Sequence, residues 1–126
     1  MKGESSDNLT LGARGEAIAA AFLKGRKFTI IERNFRCKGG EVDIVARDGK
    51  TLVFVEVKTR RSAAFGPPQA SVTPFKQRQI SKAALTWLAK NRLHGAPARF
   101  DVVAIILRDH EVPEIELISD AFELAY

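Results

Sequence analysis

"GEVDIVARDGKTLVFVEVKTR", Gly40–Arg60, decides how the rest of the chain is read. Two runs rich in Val, Leu, Ile and Phe flank "RDGK", and Asp48-Gly49 is a strong hairpin signal. Yet Asp43, Glu56 and Lys58 lie inside runs that otherwise suit burial. Successive strand residues point to opposite faces. Leu52, Phe54, Glu56 and Lys58 therefore share one face, and Val53, Val55 and Val57 share the other. Both faces begin apolar, the mark of a central strand covered on two sides. With Ala46 set opposite Thr51, Asp43 falls opposite Phe54, on the face of Glu56 and Lys58. It then lies diagonal to Glu56, at roughly 7 Å, and Glu41 falls opposite Glu56.

Carboxylates gathered in this way repel one another and are costly to bury unpaired. A divalent cation relieves the repulsion. Oxygen-only ligands with no Cys or His nearby favour Mg²⁺ or Mn²⁺ over zinc. The competing reading is a solvated strand end, with Glu56 paired to Lys58. His94 and His110 stand far from this stretch and from each other, and read as surface histidines.

Outward from the hairpin, the order of elements is α-β-β-β-α-β-β. "LTLGARGEAIAAAFLKG" is a helix capped by Thr10 and stopped by Gly25. "KFTIIERNFR" is a strand and "CKGG" a turn. "RRSAAFGPPQASV" reads as a mobile loop in which Gly66-Pro67-Pro68 prevents regular structure. Thr73 caps a second helix, with Pro74 at its first position, running to about Asn91. "RFDVVAIIL" and "EIELIS" are strands, and "DAFELAY" a short terminal turn or helix. An antiparallel hairpin feeding a mixed central sheet of about five strands flanked by helices is the expected α/β architecture. At 126 residues, one domain over 1–126 is expected, with residues 1–9 loose. A lone cysteine, Cys37, and the lack of a membrane-spanning apolar run point to a reduced, cytoplasmic setting without a membrane.

Charge is segregated along the chain. Between Arg60 and Phe100 there are eight basic residues, Arg60, Arg61, Lys76, Arg78, Lys82, Lys90, Arg92 and Arg99, and no acidic one. Elsewhere acidic residues outnumber basic ones, and everything charged after Arg108 is acidic. A basic side of this kind attracts polyanions. On the second helix, Ile80, Ala83, Ala84, Trp87 and Leu88 form the core face, while Arg78, Lys82 and Arg92 gather opposite. Trp87 reads as core. Lys76 lies within the core-facing arc in the first turn, where a cation opposes the helix dipole, and can reach towards the carboxylates or a phosphate.

Asp43 followed by Glu56-Val57-Lys58 resembles the D…E-x-K core of the PD-(D/E)XK nuclease superfamily. The wording "GEVDIVA…VFVEVKTR", with "G-x-x-G-E" in the first helix, the basic helix from Lys76 and "RFDVV", is similar to archaeal Holliday-junction resolvases and, more closely, to a bacterial family of small uncharacterised proteins, the YraN-like family. The likeness covers roughly Leu11 to Phe122. It implies a restriction-endonuclease-like core. It also implies that Asp43 and Glu56 bind Mg²⁺ or Mn²⁺, completed by Glu16, with Lys58 positioning water and offsetting phosphate charge. The superfamily's leading Pro is replaced by Val42. Glu41 has no fixed role there and is an outer or ion-pair residue. The expected function is a Mg²⁺-dependent endonuclease acting on structured or branched DNA, with Arg60, Arg61, Lys76, Arg78 and Lys82 contacting the nucleic acid and a homodimer among the expected assemblies. The alternatives are a non-catalytic DNA-binding protein with the same fold, and a protein-interaction module using the acidic tail.

Overall fold

The computed structural model describes residues 10–64 and 66–125; the expectation for residues 1–9 lies outside them. The elements are α1 (Leu11–Gly25), β1 (Thr29–Cys37), β2 (Gly40–Asp48), β3 (Thr51–Arg60), a 3₁₀ turn (Pro68–Ser71), α2 (Pro74–Lys90), β4 (Ala98–Ile106) and β5 (Glu114–Phe122). They form one five-stranded sheet in the order β1-β2-β3-β4-β5. Only β3 and β4 run parallel, and α2 makes the crossover between them. This is the mixed α/β fold expected from the pattern of elements.

β3 is the middle strand, and its two faces meet different helices. Leu52 and Phe54 pack with Ile80, Ala84, Trp87 and Leu88 of α2. Val53 and Val55 pack with Ala19, Ala20 and Leu23 of α1. Trp87 is buried, edge-on to Phe54, and its Nε1–H donates to Glu32 at 2.9 Å. It is a core residue, as its place among Ile80 and Ala84 suggests.

Both helices begin on the expected caps. Thr10 Oγ1 accepts from Ala13 N–H and Thr73 Oγ1 from Lys76 N–H. Their C-terminal ends differ from the sequence reading. Gly25 is the last helical residue, not the stop; Lys27, at φ 72°, takes the left-handed position. Phe28 N–H then donates to Leu23 O, and both side chains are buried together. α2 ends the same way, with Arg92 at φ 58° and Leu93 N–H donating to Leu88 O. Arg92 is therefore off the helix and does not share a helical face with Arg78 and Lys82.

The hairpin register also differs. Asp48, not Ala46, stands opposite Thr51, so the loop is the two-residue Gly49-Lys50. Gly49 at φ 61° in the first central position fits a type II′ turn, which matches the twist of the strands it joins. Ala46 faces Val53 and Val45 faces Phe54. The shift is two residues, so side-chain parity is kept. The chain's end is a further correction: β5 continues through "DAF" to Phe122, where a turn or helix was expected. Phe122 stacks on Phe100 at 4.9 Å between ring centroids, which holds this end of β5 on the sheet.

Candidate functional site

Pairing of β2 with β3 ends at Ile44–Val55. One step further, Asp43 and Glu56 come to the same level, and there the strands part. Strand alternation breaks at the same point. Ile44 belongs to the α1 core, whereas Val42, two residues away, belongs to the α2 core. On β1 the change is mirrored by Asn34 at φ 56°, between the pairs Arg33–Ile44 and Phe35–Val42. Asp43 turns towards β3, and its Oδ2 accepts the Val57 main-chain N–H at 2.8 Å. A carboxylate thus replaces the carbonyl that a continued ladder would supply.

Glu56 is 4% exposed. Its Oε2 is 3.7 Å from Lys76 Nζ, and its buried Oε1 has no hydrogen-bond partner among the described residues. Burial, then the neighbouring Asp43 charge, pushes Glu56 up to about 7, against the lowering effect of Lys76 and Lys58. Burial also raises Asp43; the Val57 N–H opposes this and the Glu16 charge adds to it. Glu56's ion-pair partner is Lys76, reaching in from the first turn of α2. Lys58 acts on it through space and lies half-buried further along β3.

Glu16 is placed by a close approach of helix to sheet. A Cβ on Gly15 would sit 1.8 Å from Thr59 Oγ1, so only glycine lets α1 lie this near β3. The next residue, Glu16, reaches β1, where its Oε1 accepts from Asn34 at 2.8 Å and Arg33 at 3.3 Å. Its charge is felt at Asp43, but its oxygens are held by β1. A second close approach involves Gly40, where a Cβ would meet Gln79 O at 1.9 Å. It brings α2, and Lys76 with it, down onto the start of β2.

Among the described residues, no three Asp, Glu, His or Cys side chains close into a ready-made metal cluster. Two carboxylates with raised proton affinity and an unpartnered buried oxygen are nonetheless a donor set that a cation would satisfy. Mg²⁺ commonly takes one or two protein carboxylates, with water and phosphate oxygens completing its shell.

The remaining sequence candidates spread out from this point. Glu41 does not stand opposite Glu56; it pairs with Arg36 at 3.6 Å. With Gln79 and Lys76, the ion-pair partner of Glu56, these two line a polar cavity of about 370 Å³. Arg60 donates to Gly66 O at 2.8 Å, and Arg61 meets Asp109 at 3.5 Å on the surface. Arg78 and Lys82 are exposed on α2, and His94 and His110 are exposed singly.

One buried acid was not singled out by sequence. Asp101 is fully buried, accepting from Arg99 and from Asp120 N–H, while Arg99 also reaches Asp48 at 2.9 Å. The Asp101 and Asp48 carboxylates raise the Arg99 guanidinium. This network serves the β4–β5 irregularity at Asp120, φ 53°; Asp101 pairs with Val55, one step from Glu56, and lies on the opposite, α1-covered face of the sheet. Arg99 and Asp101 are two apart in a strand, a same-face spacing that was the available signal.

Comparison with known proteins returns one family model, "Uncharacterised protein family UPF0102", over residues 15–105. The chain is 77% identical over 123 residues to a UPF0102 protein of Geotalea uraniireducens, covering 98% of this chain and 97% of that one. It is 64% identical over 122 residues to one of Geobacter sulfurreducens, covering 97% and 95%. The match to one of Rhodococcus opacus is 49% over 115 residues, covering 91% and 98%. The match to the family model takes in Glu16, Asp43, Glu56, Lys58 and Lys76, and stops before β5.

Proposed function

The chain belongs to the UPF0102, YraN-like family, and we propose that it is a metal-dependent endonuclease of the PD-(D/E)XK type, acting on structured or branched DNA. The observation that carries the reading is the pairing of Asp43 and Glu56 where β2 and β3 part, with Glu56 buried and one of its oxygens unpartnered. Burying one carboxylate against a half-buried second that repels it is unfavourable for stability alone, and sites that do so are candidates for chemistry.

In this reading Asp43 and Glu56 hold Mg²⁺ or Mn²⁺, and Glu16 contributes through its charge on Asp43 or through a water. The bound cation would acidify the attacking water and stabilise charge on the phosphoryl oxygens. Lys58, on β3 beyond Glu56, provides a compact positive charge beside the phosphate and orients the nucleophile. Lys76 is a tethered cation that balances Glu56 when no metal is bound, and becomes free to meet a phosphate when one is. Arg78 and Lys82 on α2 extend the positive surface from the site along the nucleic acid, with Arg60 and Arg61 flanking Lys58.

A DNA-binding protein without catalysis is the second reading, and the exposed Arg78 and Lys82 favour it equally. The deciding assay incubates the protein with linear, flapped and four-way DNA in Mg²⁺, Mn²⁺ or EDTA. Metal-dependent cutting of any substrate supports the nuclease. Salt-sensitive binding with no cutting in either metal leaves the binding protein.

A further inference from the structure

Past Lys58, the sheet carries a regular pattern that the metal site does not use. Lys58 pairs with Ala104 of β4, and Ala104 with Glu116 of β5. Two residues on, Arg60 pairs with Ile106, and Ile106 with Glu114. Each row therefore runs from a cation through an apolar residue to a carboxylate. Adjacent strands are about 4.8 Å apart, so the charged ends of a row are separated by roughly 10 Å. Pro67 and Pro68 border the same space, held near by the Arg60 bond to Gly66 O. These residues enclose a cavity of about 400 Å³, and none of α2 lines it.

We propose that this cavity receives one unpaired nucleotide next to the phosphate bound at Lys58. The proposal rests on the nuclease reading and specifies the DNA structure that the site selects. Three features fit a nucleotide. The Lys58–Arg60 side suits phosphate. Ala104 and Ile106 offer a small, apolar floor to the flat face of a base. Carboxylates at the far side accept hydrogen bonds from an exocyclic amino group. Glu114 is engaged by Arg108, which leaves Glu116 as the acceptor. A base kept in a duplex has its stacking neighbours and its pairing edge occupied, so it cannot enter. The occupant is therefore a nucleotide at a flap, a splayed end or a branch point. Adenine, cytosine and guanine carry an amino group and thymine does not, so thymine is the weakest natural base here.

The test uses the full chain in EDTA and splayed-arm DNA with A, C, T or an abasic site placed in turn at the first unpaired positions. Binding is read by anisotropy. At one position A and C should bind several-fold tighter than T, and T tighter than the abasic site. Glu116→Ala should bring A, C and T together. Ala104→Phe, which fills the floor, should bring every base to the abasic level. Equal affinity for abasic and natural nucleotides at all positions, or an A-to-T ratio unchanged in Glu116→Ala, overturns the proposal. Cleavage in Mg²⁺ separates this from the broader reading. A flat base dependence with cutting retained removes the nucleotide cavity alone, whereas loss of all binding and all cutting removes both.

Discussion

Lys76 Nζ stands 3.7 Å from Glu56 Oε2, with the lysine side chain 31% and the glutamate 5% exposed. The lysine sits in the first turn of α2, where the helix dipole disfavours a cation. Its place is explained by the buried carboxylate it faces. Lys76→Met should lower the stability of the metal-free protein at pH 8 by about 1–3 kcal/mol, because Glu56 loses its counter-charge. The cost should shrink at pH 5, where Glu56 is protonated. The same substitution removes a competitor for the carboxylate, so thermal stabilisation by Mg²⁺ should begin at lower concentration than in wild type. A melt series across Mg²⁺ concentrations reads both effects. An unchanged Mg²⁺ onset would leave Lys76 a structural ion pair only.

Glu56 gives the metal-free protein an unusual pH dependence. Its value in the folded chain is about 7, against an ordinary 4.5. The folded state thus binds more protons than the unfolded one between these values, and stability falls as pH rises through that window. At 1.36 kcal/mol per pH unit, the loss is roughly 3 kcal/mol for this group. Asp43 is shifted in the same direction and adds to it. Chemical denaturation in EDTA should show lower stability at pH 8 than at pH 5. Glu56→Gln should flatten most of the slope. Mg²⁺ binds the ionised carboxylates, so its stabilising effect should grow with pH over the same range.

Gly15→Ala tests how α1 is held against the sheet. The added Cβ meets Thr59 Oγ1 at 1.8 Å and Thr59 Cβ at 2.8 Å. The helix must shift, at a cost of about 1–3 kcal/mol, and Glu16 shifts with it. Thr59→Ala in that background should rescue only partly, because Cβ remains. Thr59→Gly should rescue the contact more fully while adding about 1 kcal/mol of strand cost. Alone, Thr59→Val should be neutral or stabilising, since the buried Oγ1 it removes has no partner among the described residues. Urea midpoints of the single and double variants measure the coupling.

Parity made the central feature legible. Counting in twos along "TLVFVEVKT" assigns the two faces of β3 correctly, because hydrophobic residues on both faces require two covering helices. The register was misjudged by two residues because Arg47 and Asp48 read as loop, whereas both belong to β2 and the two-residue turn needs only Gly49 to take positive φ. An even shift preserves parity, so the grouping of Asp43 with Glu56 survived the error. The sequence carried no sign that alternation breaks at Asp43, since Val42 and Ile44 are alike in character and differ only in which core they enter. Lys76 was recognisable as an oddity from its helical position, but its partner depends on the Gly40–Gln79 approach, a tertiary contact between residues 39 apart in the chain. At the C-terminus, "DAF" stays in β5 because Asp120 N–H bonds to Asp101 and Phe122 stacks on Phe100. Local propensity contains neither contact.

Charge reversal on α2 bears on DNA binding whether or not the protein cuts. Arg78 and Lys82 are exposed and pair with no carboxylate among the described residues, so Arg78→Glu with Lys82→Glu should leave the melting temperature nearly unchanged. Affinity should fall for every DNA sequence, and the slope of log affinity against log salt should lose about one for each phosphate contact removed. An unchanged slope in an anisotropy titration would take this helix out of the interface.

Asp43→Asn and Glu56→Gln separate enzyme from binder. Both keep side-chain shape and remove charge. In Asp43→Asn the side-chain amide oxygen can still accept the Val57 N–H, so the parting of β2 and β3 should be retained. If the two carboxylates hold Mg²⁺, each substitution should reduce cleavage by at least about a thousandfold, equivalent to roughly 4 kcal/mol of transition-state stabilisation. DNA binding should persist or tighten, because negative charge facing phosphate is gone. The two variants should act on metal-free stability in different ways. Asp43→Asn relieves repulsion on Glu56 and should hold or raise stability at pH 8. Glu56→Gln removes the buried charge itself, so metal-free stability should change little at pH 5 and rise above wild type at pH 8, while Lys76 is exposed enough to recover solvation. In wild type, Mg²⁺ should raise the melting temperature by mass action, and neither variant should show that rise. A large loss of stability in Glu56→Gln, together with an absent Mg²⁺ response in wild type, would mean that the Glu56–Lys76 pair is there to hold α2 on the sheet, and the binding protein would then be the better reading.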